Sequence, residues 1–137
     1  MTPTDVDAFD ADVLIYAVIP DHTLGGPVRR HILDAPPGFC IGSTLLIPEV
    51  LIKPTHHGDA QARELNKLLG FLDLRSADER IGDAAVDLGA RYGLKTLDSM
   101  HLATAVLAGA DRFVTNNRRD FTKEITEVDV TYPDELQ

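Results

Sequence analysis

The sequence predicts an α/β fold: one domain, residues 1–137, with a mostly parallel central sheet covered by helices on both faces. Three observations predict it. Short strand-like apolar runs alternate with helix-period segments almost throughout, and that alternation builds parallel sheets through crossover helices. A length of 137 residues suits a single hydrophobic core. No internal repeat, low-complexity tract or long linker divides the chain.

Taken in order, Val6–Phe9 reads as the first strand and ends at Asp10. Ala11–Ile19 is long and apolar enough for a largely buried helix, which Pro20 stops. A helix over Pro27–Leu33 follows, opened by Gly25-Gly26 and closed before Pro36-Pro37. Phe39–Gly42 is a short buried strand. Ser43 or Thr44 then caps a helix that Pro54 ends at about Lys53. After a polar linker, His56–Asp59, an amphipathic helix covers Ala60–Leu72, and Leu72–Arg75 is a weak strand. Asp78 caps the helix Glu79–Tyr92, whose Ile81, Ala85, Leu88 and Tyr92 recur at helical spacing, and Gly93 serves as its C-cap. A helix over Ser99–Ala108 and strands at Arg112–Thr115 and Val128–Tyr132 complete the order. The functional crevice of such a fold lies at the carboxyl ends of its strands.

Composition narrows the function classes. Apolar residues make up 44% and charged residues 26%, the balance of a globular chain. No apolar run approaches the ~18 residues of a membrane span and the start carries no leader pattern, so a cytoplasmic location is expected. The single cysteine, Cys40, rules out an internal disulfide framework and reads as a small core residue. Thirteen basic against 22 acidic residues give a net charge of −9, the wrong sign for a broad electrostatic grip on nucleic acid. The acidity is compatible with a metal-recruiting site and favours a basic partner. Basic residues gather in Arg29-Arg30-His31 and Arg118-Arg119, whose arginines are candidate phosphate contacts.

Three acids stand out. Asp10 marks the turn from strand to helix, where it could simply cap the helix; Asp12 follows two residues later. Glu49 lies among Leu46, Ile47, Val50 and Leu51, and a carboxylate in apolar surroundings asks for a partner or a cation. Asp98 opens a helix and, like Asp10, would act as an N-cap. His101, one turn further, could join the site but reads more readily as a packed or hydrogen-bonded residue. A fourth element, Thr115-Asn116-Asn117-Arg118-Arg119-Asp120, follows a strand and offers a hydroxyl, amides, guanidinium groups and a carboxylate. Hard oxygen donors from several strand ends suit Mg²⁺ or Mn²⁺, and such ions promote phosphodiester hydrolysis without a histidine acid–base pair.

The segments FDADVLIYA (Phe9–Ala17), PEVLIKP (Pro48–Pro54), LDSMHLATAVLAGADRFVTNN (Leu97–Asn117) and the RRDF after them run in one order across nearly the whole chain. In this order they resemble the PIN-domain nucleases, and among them the VapC-type toxins of toxin–antitoxin pairs. The resemblance implies an α/β/α sandwich, a homodimer, Mg²⁺-dependent endoribonuclease activity on RNA and a small antitoxin partner. It carries the first catalytic and metal-binding acid onto Asp10, the second onto Glu49 and the third onto Asp98. Thr115 falls where the family often has a threonine near the metal. Two departures accompany it. Asp12 stands where the family commonly has asparagine or serine, and Asn117 stands where it often has aspartate, a place Asp120 can fill instead. Two other readings compete: a non-catalytic module that keeps the fold, and a phosphatase or phosphoacceptor that uses Asp10 as nucleophile beside Asp12.

Overall fold

A computed structural model describes residues 5–136 of the chain. Its strands are β1 (Asp7–Phe9), β2 (Cys40–Ser43), β3 (Asp73–Arg75), β4 (Arg112–Val114) and β5 (Asp129–Thr131). They form a five-stranded sheet in the order β3-β2-β1-β4-β5, and every pairing is parallel. The expected α/β class is correct. Ala8 pairs with Ile41 on one side and Phe113 on the other, which makes β1 the central strand.

Alternation along the strands splits the core in two, because successive side chains point to opposite faces. Phe9, Cys40 and Val114 face one core, which α1 (Ala11–Ala17), α2 (Gly25–Asp34), α3 (Leu46–His57) and α4 (Gln61–Leu69) cover with Leu14, Ile32, Leu46 and Leu65. Ala8, Ile41, Phe113 and Val130 face the other, under α5 (Glu79–Tyr92) and α6 (Thr96–Leu107). The six helices therefore sandwich the sheet. A 3₁₀ turn, Pro133–Glu135, follows β5. Among the described residues no helix is long and apolar enough to cross a membrane.

Several local expectations are borne out. Asp78 Oδ1 accepts the Ile81 N–H at 3.1 Å and caps α5, and Gly93, at φ 68°, ends it. The helix α3 differs from expectation: it runs through Pro54 and stops at Gly58, whose N–H closes on Pro54 and Thr55 carbonyls at φ 68°. Proline's fixed φ suits a helix, so Pro54 costs a hydrogen bond without forcing an end. His56 and His57 consequently belong to α3 and not to a linker. Neither Ser43 nor Thr44 caps α3: Ser43 Oγ accepts the Leu45 N–H at 3.0 Å, and Thr44 Oγ1 takes the Ala77 N–H at 3.3 Å. The helix α6 begins at Thr96, which puts Asp98 in its first turn rather than at its cap.

Candidate functional site

The chain leaves β1 toward β2 on one side of the sheet and later crosses to β4 on the other. The crevice between the carboxyl ends of β1 and β4 is thus a topological switch point, where ligands bind in open α/β sheets. Asp10 directly follows β1, and Thr115 directly follows β4.

Asp10 is only 5% exposed. Its Oδ1 accepts the Ala11 N–H at 2.8 Å, so it does cap α1, and its Oδ2 accepts the Thr115 hydroxyl at 2.7 Å. Capping and membership of the site coexist because the cap faces the crevice. Thr115 is fully buried and its Oγ1 also accepts the Asn117 N–H at 3.1 Å, which ties the loop after β4 to the first acid. Asp12 spans the same gap: Oδ1 accepts the Val13 N–H at 2.7 Å and Oδ2 the Asn116 N–H at 3.0 Å.

Asn117 and Asp120 share one hydrogen-bonded turn instead of competing for one place. The Asn117 amide donates to Asp120 Oδ2 at 3.0 Å, and the Asp120 N–H returns to Asn117 Oδ1 at 3.3 Å. Glu49 occupies the first turn of α3, with its side chain 27% exposed. The apolar stretch around it is less buried than sequence suggests: Ile47 is 41% and Ile52 67% exposed, because α3 rides on the outside of the sandwich. Glu49 nevertheless has a partner. His101 Nε2, on α6, lies 2.5 Å from Glu49 Oε1.

The acids disturb one another. Burial raises the Asp10 carboxyl above the ordinary aspartate range against the Thr115 hydrogen bond, and the Glu49 charge adds to the rise. Asp12 is pushed up to about 7 by burial and then by the charge of Asp10. Asp98 is raised by burial, then by the charges of Asp10 and Asp120. Ordinary surface carboxylates avoid such crowding; here burial and mutual repulsion disfavour the charged form of Asp10, Asp12 and Asp98, a cost that a cation relieves.

The expected basic contacts fare differently. Arg118 pairs with Asp134 and lies over the Tyr132 ring, 4.2 Å from its centroid, so its guanidinium is engaged within the fold. Arg119 is exposed on the loop, and Arg29 and Arg30 are exposed on α2. His31 is tied into the fold: its Nε2 bonds the fully buried Asp7, which also accepts from Arg112 Nε at 2.7 Å and Nη2 at 2.9 Å. His22 stacks on Tyr16 at 4.5 Å, and its Nδ1 accepts the Leu24 and Gly25 N–H groups at 3.1 Å.

A cavity of about 290 Å³ opens beside Glu49, lined by Ile15, Val50, Lys53, His57 and Leu65. A larger surface hollow, about 880 Å³ between the end of α3 and α4, touches none of the candidate acids, and Glu49 is the one candidate acid that lines the smaller.

The sequence matches the PIN domain family over residues 8–125. The chain belongs to the PIN-domain family. Solved structures agree on the fold. A toxin–antitoxin complex from Klebsiella pneumoniae contains a chain 24% identical, with TM-score 0.75, covering 93% of this chain and 97% of that one. FitAcB from Neisseria gonorrhoeae is 14% identical at TM-score 0.72, covering 95% and 99%. Mycobacterium tuberculosis VapC20, described as a sarcin–ricin loop cleaving toxin, is 11% identical at TM-score 0.62, covering 90% and 98%. No curated protein matches this PIN domain in sequence.

PIN domains generally hold Mg²⁺, and the donor types fit it: hard carboxylate oxygens after β1 and in the first turns of α3 and α6. Among the described residues no three acidic, imidazole or thiolate groups converge on one point. Mg²⁺ does not ask for such a cage, since it keeps several waters and is commonly bound by one or two carboxylates together with substrate phosphates. The expectation of a packed or hydrogen-bonded His101 is borne out: it is 2% exposed and bonds Glu49, and only the tertiary structure shows which partner it takes.

Proposed function

We propose that this PIN domain is a metal-dependent endoribonuclease, the toxin of a toxin–antitoxin pair, with Asp10, Glu49 and Asp98 as its metal-binding acids. The observation that carries the reading is the set of mutually repelling carboxylates at the switch point between β1 and β4. Mg²⁺ or Mn²⁺ held there would supply Lewis acidity toward a phosphate oxygen and an attacking water. Thr115 fixes the Asp10 oxygen that faces β4, Asp12 holds the Asn116 backbone, and the Asn117–Asp120 turn brings a fourth carboxylate to the crevice. Exposed Arg119, Arg29 and Arg30 are candidates for RNA phosphates, and so is Arg118, whose pair with Asp134 lies at the surface.

Three structural neighbours come from complexes of toxins with antitoxins, which supports an antitoxin partner for this chain. The net charge of −9 suits a basic one. An apolar strip along α3, Ile47, Pro48, Leu51 and Ile52, supports association with a protein surface, a second copy included. The nucleophilic-aspartate alternative fits less well, because it gives Glu49 no role.

The test incubates labelled RNA and DNA with the protein in Mg²⁺, Mn²⁺ or chelator, beside Asp10→Asn. RNA cleavage by the wild type that needs metal and is lost in the variant is the expected result. Absence of cleavage, or cleavage that survives the substitution, overturns the nuclease reading and leaves the non-catalytic module.

A further inference from the structure

Glu49 differs from the other acids of the site in how it is held. Asp10 is short, buried and hydrogen-bonded through both oxygens. Glu49 has one more methylene, stands partly in solvent and receives no help from its own helix. A flexible carboxylate loses rotamer freedom when it ligates, which weakens binding unless something has already ordered it. What orders it is His101, 2.5 Å away across the α3–α6 gap and itself 2% exposed.

The other imidazole nitrogen decides the form of that contact. Among the described residues, His101 Nδ1 is the buried side-chain polar atom with no hydrogen-bond partner. A proton on Nδ1 alone would leave a buried donor unsatisfied and the Nε2 lone pair facing carboxylate lone pairs. A proton on Nε2 makes that nitrogen the donor to the carboxylate.

We propose that His101 is a positioning residue: from Nε2 it donates to Glu49 Oε1 and so holds that carboxylate in place for the cation. The role rests on the metal-site reading of Glu49 given above. It is the arrangement by which a neighbour that never touches the ion fixes the ligand that does, and removal of such a neighbour weakens metal affinity by about 10–100-fold.

Two measurements test it. Long-range ¹H–¹⁵N correlation of the histidine rings in metal-free protein, with the His101 signals assigned by their loss in His101→Gln, should show the proton on Nε2. Mn²⁺ binding by calorimetry should be about 10–100-fold weaker in His101→Leu. It should stay near wild type in His101→Gln, whose amide nitrogen reaches the place of Nε2. Circular dichroism checks folding, and if His101→Leu fails to fold, the tautomer and the Gln variant decide. An Nε2 without a proton, or equal Mn²⁺ affinity in wild type and a folded His101→Leu, overturns the proposal. Mn²⁺ binding that depends on His101 without RNA cleavage overturns the nuclease reading alone. No Mn²⁺ binding by the wild type overturns both.

Discussion

Asp12→Asn should make the metal-free protein more stable at alkaline pH and slightly less stable in acid. In the fold the Asp12 carboxyl is pushed from 3.8 to about 7, by burial first and the Asp10 charge second. Between those values the folded chain binds a proton that the unfolded chain has released. Stability is therefore full below 3.8, falls as pH rises, and levels off above about 7. A rise of about 3 units at 1.36 kcal/mol each sets the loss at no more than about 4 kcal/mol. Asparagine removes the charge but keeps one acceptor oxygen for the two N–H groups of Val13 and Asn116, which costs about 1 kcal/mol at every pH. The net expectation is a variant about 3 kcal/mol more stable at pH 8.5 and about 1 kcal/mol less stable near pH 4. Urea unfolding in EDTA across that range measures it. Added Mg²⁺ should narrow the alkaline difference, because a cation bound to the folded state offsets the same repulsion. Parallel pH curves for the two proteins would refute the reasoning.

Three further outcomes follow from the same structure. Asp7→Asn breaks the buried contact with His31 and Arg112 and should cost about 3–5 kcal/mol at neutral pH in urea unfolding. Burial opposes the Asp7 charge, but hydrogen bonds from His31 and Arg112 outweigh it and hold the carboxyl below 3.8; the wild-type advantage is thus present above 3.8 and fades as pH falls through the lower folded value. Gly25→Ala would set a Cβ 1.9 Å from the Tyr16 carbonyl oxygen, a backbone clash between α1 and α2, and should destabilise by about 3 kcal/mol in thermal or urea melts. Thr115→Val keeps the shape but removes the donor to Asp10 and the acceptor of the Asn117 N–H; a loss of about 2 kcal/mol at pH 8 and weaker Mn²⁺ binding by calorimetry are expected.

Much of the site was legible in the chain because its key features are local. Asp10 at a strand end and Thr115 after another strand are readable from residues within a few positions, as were the Asp78 and Gly93 caps. Pro54 misled for the opposite reason: the end of α3 was set by Gly58, four residues on, and by packing that tolerates one missing hydrogen bond. Exposure of Ile47 and Ile52 was unreadable, since an apolar run does not reveal which of its sides the sandwich covers.

The sequence by itself determined the parallel α/β class and the place of Asp10 at a strand end, because hydrophobic period and capping act over short stretches of chain. Only the tertiary structure decided the pairings around those acids. His101 meets Glu49 across 52 residues, Asp12 bonds Asn116 across 104, and Arg118 turns from the crevice to Tyr132 and Asp134. Such contacts depend on the register of β1 against β4 and on how α3 and α6 pack over the sheet, and no local pattern encodes those distances.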